Sequence, residues 1–464
     1  MRHRWTSVLA AVVVLAGLLG APAGAVATQS ATQPPAGDIS KNVSYITNVP
    51  MPSAISINFI DDVMIVSTAS GLYTYDVSDP AAPTPLGSLP MYIWENEDID
   101  VDVKRKLAFI SRDPRGFTSP AAGGDTFPYG AVHVIDVSNP TAMQEVGFFT
   151  VPAGHTTSCV NRCDFVWTGG PYANPETQPD FVGRPIYATD VTDPANPVPC
   201  PDPIDTGRND GVTDYAHDVQ VDAKGVAWVS GAGGVRGYWT SGRHKNPLTG
   251  KVQKATGCKP IPYAGGGTPE SATSSRFMHN AWRNVRAKVD GRRGDVLYAT
   301  EENIVSDCAT SGRLAIYDLK GSKKGEGWRN IEKTKFRMKV LDTWWPEGQK
   351  GTTGCDSAHY LSDRGDGLIA YSFYSQGTRF LDVSNPRRIR QIGYYRPDDA
   401  NVWAPYFHDG YVYVADFTRG IDVLKFKGGA QSKAVRAPLD LTASTLQPSR
   451  TFGYICPVKP NAVR

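Results

Sequence analysis

The sequence predicts an all-β protein: a single seven-bladed β-propeller whose ring is closed by a strand near the N-terminus. Three observations predict it: a recurring turn motif, short β-rich segments around each copy of that motif, and the lack of long helical periodicity. The 46 Gly and 35 Pro are spread along all 464 residues, which is typical of many short strands joined by turns. A length that would ordinarily suggest two or three domains is therefore interpreted as one large β domain.

The turn motif recurs as four near-copies. They read Y-D-V-S-D-P at residues 75–80, I-D-V-S-N-P at 135–140, T-D-V-T-D-P at 189–194 and L-D-V-S-N-P at 381–386. Looser copies lie at 317–321 and 421–425, and a degenerate seventh fits at 237–240. Asp and Asn side chains cap tight turns and Pro ends a strand, so the Asp residues of the motif are interpreted as structural. Each copy ends one strand of a four-stranded unit, and seven such units make a propeller.

The repeats resemble the LVIVD-repeat family of secreted and surface proteins, over nearly the whole chain that follows the N-terminal segment. The resemblance implies the propeller fold and an extracellular setting, and it implies no particular activity.

The two ends of the repeat region predict how the ring closes. The last unit stops after residues 421–424 without an outer strand, whereas residues 42–49 form a strand-like segment with no unit of their own. Pairing the second segment with the first would remove an unpaired sheet edge. The predicted domain therefore covers residues 42–427, with a flexible leader at 28–41 and a C-terminal tail at 428–464.

The first 27 residues have the pattern of a secretory signal peptide. A basic start is followed by a short apolar run and by small residues before position 28. We therefore expect an extracellular protein with no membrane span. Removal of this segment takes away two of the 48 basic residues and none of the 46 acidic ones, leaving 46 of each. A neutral chain has no general attraction for nucleic acid, so a small molecule or a surface protein or glycan is the expected partner of an expected monomer.

Export would allow the seven cysteines to form disulfides. Cys159 and Cys163 have a spacing that suits a short covalent loop. Cys308 with Cys355 is a plausible second pair and Cys200 with Cys258 a third, which leaves Cys456 over. The connectivity stays open at the level of sequence.

Aligning the units on their second strands places one residue of each unit at the start of an innermost strand. These residues are Ala54, Glu97, His155, His217, His279, His359 and either Trp403 or Ala404. Four of the eight histidines thus share one structural position in four consecutive units. Inner strands surround the channel of a propeller, so equivalent side chains can converge on its axis.

Converging imidazoles with a carboxylate predict a metal site, with His155, His217, His279, His359 and Glu97 as ligands. Copper is preferred because it has the highest intrinsic affinity for imidazole, and iron or zinc remain possible. The candidates for hydrogen-bond acceptors of the outer ring nitrogens are Asp218, Asn280, Glu301 and Glu302. An alternative is that duplicated repeats carry four structural histidines whose hydrogen bonds are all satisfied.

Loops on the same face as the histidines gather further candidates. Glu97, Glu301 and Glu302 are the candidate catalytic groups. A substrate mouth is expected from Arg112, Asp113, Tyr374, Asp416 and Arg419.

Two functions follow from these residues. The first is a metal-dependent oxidase or lyase of a small extracellular substrate. Its layout is similar to two kinds of propeller that hold a metal on the axis with histidines, the copper-bearing selenium-binding/methanethiol oxidase proteins and the iron-bearing carotenoid oxygenases. That similarity is one of architecture only. The second is a non-enzymatic propeller that binds protein or glycan through exposed aromatic residues such as Trp94, Trp344, Trp345 and Trp403.

Overall fold

A computed structural model describes residues 34–114, 130–170, 186–204, 216–231, 234–268, 277–302, 312–320, 338–346 and 357–435. Within these ranges the chain forms 33 β-strands and no α-helix. Seven four-stranded antiparallel units follow one another along the chain, as the sequence predicts. Because no helix occurs in the described ranges, none there could cross a membrane as a helix.

The first four units are built from consecutive segments, innermost strand first. Blade 1 contains β3 (Ala54–Ile60), β4 (Val63–Thr68), β5 (Gly71–Asp76) and β6 (Thr84–Pro90). Blade 2 contains β7 (Asp100–Asp102), β8 (Leu107–Arg112), β9 (Gly130–Asp136) and β10 (Gln144–Val151). Blade 3 contains β11 (Thr156–Val160), β12 (Phe165–Gly169), β13 (Tyr187–Asp190) and β14 (Val198–Pro199). Blade 4 contains β15 (Ala216–Val221), β16 (Val226–Gly231), β17 (Arg236–Trp239) and β20 (Ile261–Gly267), with the hairpin β18 (Arg243–Lys245) and β19 (Val252–Lys254) inserted.

The remaining three units complete the ring. Blade 5 contains β21 (Phe277–Asn284), β24 (Val296–Glu302), β25 (Leu314–Asp318) and β26 (Lys339–Trp344), with the hairpin β22 (Lys288–Val289) and β23 (Arg292–Arg293) inserted. Blade 6 contains β27 (Leu361–Asp363), β28 (Leu368–Ser372), β29 (Thr378–Asp382) and β30 (Arg390–Pro397). Blade 7 contains β31 (Val402–His408), β32 (Tyr411–Asp416), β33 (Gly420–Phe426) and, as its outer strand, β2 (Val43–Val49).

Ring closure occurs as the sequence predicts. Strand β2 pairs antiparallel with β33 from Val43↔Phe426 to Val49↔Ile421, so the N-terminal segment supplies the outer strand of the last blade. The expectation of a wholly flexible leader is wrong at its end. Residues Gly37–Ile39 form β1, which adds a fifth strand to blade 6 by pairing with β30. The backbone groups of the β30 edge are thereby satisfied, which favours an ordered strand there.

The repeated turn motif has the chemistry expected of it. The Asp76 carboxylate accepts a hydrogen bond from the Ser78 backbone N–H at 2.9 Å, and the Asp382 carboxylate accepts one from the Ser384 backbone N–H at 2.9 Å. Equivalent bonds form at Asp136 and Asp190. These carboxylates therefore hold turns, as the pattern indicates.

Hydrophobic clusters lie between neighbouring blades. One cluster joins blades 6 and 7 and includes Phe380, Val414 and Leu424, and the first residues of the tail pack on it through Ala430. The disulfides Cys159–Cys163 and Cys200–Cys258 are both present, which confirms two of the three pairings considered. Cys308, Cys355 and Cys456 lie outside the described residues.

Candidate functional site

The inner strands share one backbone irregularity near the channel. In blades 1, 4, 5 and 7 a β-bulge falls at the same place, and the extra residues are Ile55, His217, His279 and Trp403. A bulge sets two residues against one on the neighbouring strand and re-aims the side chain of the extra residue. The alignment from sequence is therefore one residue out in blade 1, where Ile55 and not Ala54 is equivalent, and Trp403 is the equivalent residue in blade 7.

The four predicted histidines meet on the channel axis. Successive ring centroids are 4.6 Å apart for His155 and His217, 4.3 Å for His217 and His279, and 4.0 Å for His279 and His359. All four residues have a relative exposure of 0%. We call these residues and Glu97 the histidine ring.

The carboxylate of Glu97 is in contact with every histidine of the ring. Its Oε2 lies 3.1 Å from His279 Nε2, 3.6 Å from His155 Nε2 and 3.8 Å from His217 Nε2. Its Oε1 lies 3.2 Å from His359 Nε2. The backbone N–H of Glu97 donates to the His155 carbonyl at 3.0 Å, which fixes the carboxylate beside the third blade. The potential ligands form two groups that share the Glu97 carboxylate: Glu97 with His155 and His217, and Glu97 with His279 and His359, with the ligand atoms of each group within 4.8 Å of one another.

The outer nitrogens of two imidazoles are held by acceptors. His155 Nδ1 lies 2.9 Å from Asp113 Oδ2, and His359 Nδ1 lies 2.9 Å from the Trp403 carbonyl oxygen. The Asp113 carboxylate and the Trp403 carbonyl oxygen only accept hydrogen bonds, so in each of these two contacts the histidine Nδ1 carries a proton. Gly170 allows this packing, because it has φ 129° and an added Cβ would lie 2.4 Å from the Cβ of His155.

The charges within the ring oppose one another. Burial raises the pKa of Glu97, but His359, His279 and His155 outweigh burial and hold that pKa well below its usual value. Burial lowers the pKa of His359, yet the Glu97 carboxylate more than compensates and the pKa is raised. Burial dominates for the other two: it lowers the pKa of His217 well below its usual value and that of His279 to about 4. These two imidazoles are therefore neutral near pH 7, which is the form that binds metals.

The structure also gives the positions of the other candidate catalytic groups. Glu302 Oε2 lies 4.0 Å from His279 Nε2, and its Oε1 accepts a hydrogen bond from the Tyr374 hydroxyl at 2.6 Å. Tyr374 has φ 39°, a left-handed conformation that is costly for an aromatic residue, and its ring is 4.9 Å from that of His359. Glu301 instead pairs with Arg313 at 2.8 Å. Glu302 is therefore the member of this pair that reaches the ring.

The predicted mouth residues fall into two groups. Asp113 contacts His155 and Tyr374 contacts His359, as described. Both Asp113 and Arg112 are buried. Asp416 and Arg419 lie at the β32–β33 turn, where Asp416 accepts backbone hydrogen bonds from Asn401 and Thr418. Arg419 binds Asp399 and Asp422. A substrate contact by any of the five stays a prediction.

Two residues near the histidine ring, Tyr360 and Ile55, escape the sequence analysis. Tyr360 donates a hydrogen bond from its hydroxyl to Glu97 Oε2 at 3.0 Å. Strand alternation would turn Tyr360 away from the side occupied by His359, but the chain at this point has not yet entered β27, so both side chains reach the axis. Ile55 and Trp403 form an apolar cluster with Ala69, Tyr374 and Phe417, which fills the side of the channel that lacks histidines.

Two further predictions about neighbours of the ring need correction. Asp218 and Asn280 are candidate acceptors for ring nitrogens, but they bind each other, with Asn280 Nδ2 donating to Asp218 Oδ2 at 2.7 Å. Within the described residues, His279 Nδ1 has no hydrogen-bond partner. Trp403, predicted to be an exposed aromatic, is only 1% exposed. Trp94, Trp344 and Trp345 are partly buried.

A channel cavity lies directly beyond the ring. It has a volume of about 240 Å³ and is bounded by the inner strands of blades 4 to 7 and by Asp98. Tyr360 lines this cavity, and its hydroxyl contacts Glu97.

Comparison with known proteins agrees with this architecture. The LVIVD repeat matches residues 130–151, which are strands β9 and β10 of blade 2 with the turn motif between them. The chain therefore carries an LVIVD repeat within a seven-bladed propeller. No curated protein matches the sequence.

Solved structures with a similar fold are WD40-type propellers. The β-propeller domain of Myceliophteria thermophila Cps50 (Swd1) matches with a TM-score of 0.50 and 8% identity, covering 82% of this chain and 99% of that one. The RRP9 WD40 repeats match with a TM-score of 0.50 and 10% identity, covering 84% of this chain and 98% of that one. At such identities the likeness concerns the fold alone.

Proposed function

We propose that this protein is an exported metalloprotein that holds one transition-metal ion within the histidine ring and acts as an oxidase or lyase of a small extracellular substrate. The ligands are the Nε2 atoms of His155, His217, His279 and His359, with the Glu97 carboxylate as a fifth. The observation that carries the proposal is the contact of one buried carboxylate, that of Glu97, with the Nε2 atoms of all four imidazoles, which form two adjoining groups of potential ligands that share it.

The spacing of the donor atoms supports a shared ion. Two nitrogens that are each about 2.0–2.1 Å from zinc would be about 2.9 Å apart at a right angle and about 3.4 Å apart at the tetrahedral angle. The separation between His155 Nε2 and His217 Nε2 is 2.8 Å, and those between Glu97 and the four Nε2 atoms run from 3.1 to 3.8 Å. Two lone pairs facing each other at 2.8 Å repel unless a proton or a metal ion lies between them.

The surroundings of the ring also favour a metal. Asp113 on His155 Nδ1 supplies the carboxylate–histidine pairing that commonly orients metal ligands. Copper is the first choice because imidazole sites bind it most tightly among the divalent first-row metals, with iron and zinc behind it. When bound, a copper or iron ion would supply redox chemistry and a zinc ion would supply Lewis-acid chemistry.

The protein's own groups have separable roles in such a site. Burial raises the pKa of the Tyr360 hydroxyl well above its usual value, so this group stays protonated and donates to Glu97. Tyr360 thereby fixes the orientation of the carboxylate while its ring bounds the cavity in which a substrate would lie. Glu302, held by Tyr374, is the candidate acid or base beside His279.

Export is part of the same proposal. It is supported by the signal-like segment at 1–27 and by two disulfides, which persist in oxidising compartments. Sequencing the N-terminus of protein recovered from the medium or periplasm tests it, with residue 28 expected first. Recovery of the intact chain from the cytoplasm alone would contradict export.

Metal binding is tested on chain starting at residue 28, stripped of metal and dialysed separately against Cu(II), Zn(II) and Fe(II). We expect about one tightly held ion per chain by elemental analysis, with copper retained best. The double variant His217→Ala/His279→Ala should retain almost none, because two ligands are lost. The matched control His133→Ala/His244→Ala removes two histidines outside the ring and should bind like the wild type.

Two results would overturn the metal proposal. One is a wild-type protein that holds none of the three ions stoichiometrically. The other is a ring double variant that binds metal as well as the control does. Either result would favour a proton shared among the imidazoles and hence a structural cluster.

A further inference from the structure

The cavity beyond the histidine ring has a marked charge bias. It starts one residue past the ring on several inner strands, and eleven of the described residues bound it. The charged ones among these eleven are Asp98 and Asp363, and none of the eleven is a lysine or an arginine. Asp218 lies just behind the wall, bound to Asn280. Burial and the neighbouring carboxyl groups of Asp218 and Asp100 raise the pKa of Asp98 well above its usual value. An anionic ligand would add to the repulsion among these groups, whereas a cation would offset it.

An unmatched acceptor also lines this cavity. Asn280 is 2% exposed, and its Nδ2 donates a hydrogen bond to Asp218. Its Oδ1 has no hydrogen-bond donor among the described residues. A buried acceptor left without a donor costs about 1–3 kcal/mol. A ligand that donated an N–H group to this oxygen would remove that cost.

The rest of the wall suits the body of an organic molecule. Trp282, Tyr360 and Tyr406 present aromatic rings, and Leu361, Ala404 and Pro405 add apolar surface. Aromatic faces attract ammonium groups as well as hydrocarbon. A volume of about 240 Å³ is far more than a single inorganic ion requires.

From these features we infer that the cavity binds a small organic cation, an ammonium group on an apolar or aromatic body. Its N–H groups contact Asp98 and the Oδ1 of Asn280, and its body packs on the aromatic wall. Asp363, at the end of β27, adds negative charge farther along the channel. The inference that this cation is the substrate of the metal centre rests on the proposed function. The binding of the cation to the cavity does not rest on it.

The backbone conformation and the hydrogen bonds of Asp98 hold its side chain in a defined position. It has φ 63°, in the left-handed region, directly after Glu97. Its Oδ2 accepts hydrogen bonds from Ser158 and Gln220, both at 3.0 Å. The chain therefore turns sharply between a residue of the ring and a carboxylate of the cavity, and two neighbouring blades hold that carboxylate in place.

The test compares three probes of one shape: benzylamine, benzyl alcohol and benzoate. Binding is measured by calorimetry near pH 7, on metal-free and metal-loaded protein that starts at residue 28. We expect benzylamine to bind about tenfold or more tightly than benzyl alcohol, and benzoate to show no binding. Equal binding of the amine and the alcohol, or preferential binding of benzoate, would overturn the inference.

Variants locate the binding site. Asp98→Asn should weaken benzylamine about tenfold or more and reduce its advantage over the alcohol, since one charge of the pair is removed. The matched control Asp366→Asn removes an exposed carboxylate from the nearby β27–β28 turn and should leave binding unchanged. Trp282→Leu should weaken the amine and the alcohol alike, which reports on the cavity without changing its charge. Unaltered benzylamine binding in both cavity variants would place the amine elsewhere and reject the site.

Failure of this inference can be told from failure of the proposed function. If metal binds at the ring and benzylamine does not bind, the cavity inference is wrong and the metal proposal stands. If benzylamine binds to wild-type protein that takes up no metal, the opposite holds. Benzylamine binding by the His217→Ala/His279→Ala variant would support the cavity as a site in its own right.

Discussion

The two sides of the channel use one backbone position in different ways. In blades 4 and 5 the bulged residue is His217 or His279, whereas in blades 7 and 1 it is Trp403 or Ile55. Trp403 is 1% exposed and stacks on Phe417 with ring centroids 4.9 Å apart. The apolar side is therefore packed like the interior of the protein, while the histidine side contains ionisable groups crowded around a carboxylate.

This difference shows that the fold does not require histidine at the bulge. An apolar residue occupies the same position in two blades and gains burial there. On the other side, His279 Nδ1 has no hydrogen-bond partner among the described residues, which costs stability. Burial also lowers the pKa of His279 to about 4, which destabilises the folded chain at acid pH. Residues kept at a cost where packing residues would fit are typical of functional sites. Descent from a common repeat explains four copies of histidine, but it does not explain a buried imidazole whose Nδ1 has no hydrogen-bond partner among the described residues.

The largest expected effect is on stability, and it lies on the apolar side. Trp403→Ala should lower the free energy of unfolding by about 3–5 kcal/mol in urea titrations, because a large buried ring leaves a cavity. Metal content should remain close to that of the wild type, since His359 Nδ1 donates its hydrogen bond to the Trp403 carbonyl oxygen, which the substitution keeps, and only the edge contact of the two rings is lost. Trp239→Ala, at the partly exposed end of the third strand of blade 4, is the matched control and should cost less. If Trp403→Ala lost metal and changed stability only slightly, the contrast between an apolar packing side and a metal-binding histidine side would be wrong.

The histidine side should make the stability of the protein depend on pH. The pKa of His279 is about 4 in the folded chain against an ordinary 6.5, so the unfolded state takes up the proton first as pH falls. The free energy of unfolding is therefore unaffected by this group above pH 6.5. It decreases as the pH falls toward 4, by on the order of 3 kcal/mol for metal-free protein. Urea titrations across this range should show the slope, and His279→Ala should flatten it.

The control for the pH experiment is His244→Ala, which removes a histidine that lies outside the ring and stacks on Trp239. It should leave the slope of the wild type unchanged. An equally steep slope in His279→Ala would mean that other groups carry the pH dependence, and the contrast between the two sides of the channel would lose this support.

The smallest expected effect is on metal affinity, and it tests the role of Asp113 beside His155. Asp113→Asn should weaken metal binding about 10- to 100-fold, because the amide no longer favours a proton on His155 Nδ1. Competition with a chelator of known affinity measures the change. Glu145→Gln, which alters the carboxylate beside His133 outside the ring, should leave affinity unchanged. If Asp113→Asn bound metal as tightly as this control, Asp113 would be a packing residue only.

The sequence by itself determined the fold and the set of histidines. The turn motif at residues 75–80 and its copies fixed the number of blades, because a side chain that caps its own turn acts locally. The unpaired segment at 42–49 determined the closure, since an open strand edge must find a partner. The common place of His155, His217, His279 and His359 in their units determined that they would meet, since inner strands of a propeller share one axis.

Only the tertiary structure decided which neighbours act on those histidines. Tyr360 reaches Glu97 because the chain has not yet become a strand at residue 360, and the bulges place Ile55 and Trp403 opposite the ring. The joining of Asp113 to His155, and of Asn280 to Asp218, crosses between blades. Contacts of this kind depend on how far one blade is rotated against the next and on single-residue shifts in register. Side-chain alternation in a sequence carries no record of either, so the chemistry around the ring could be read only once the blades were packed.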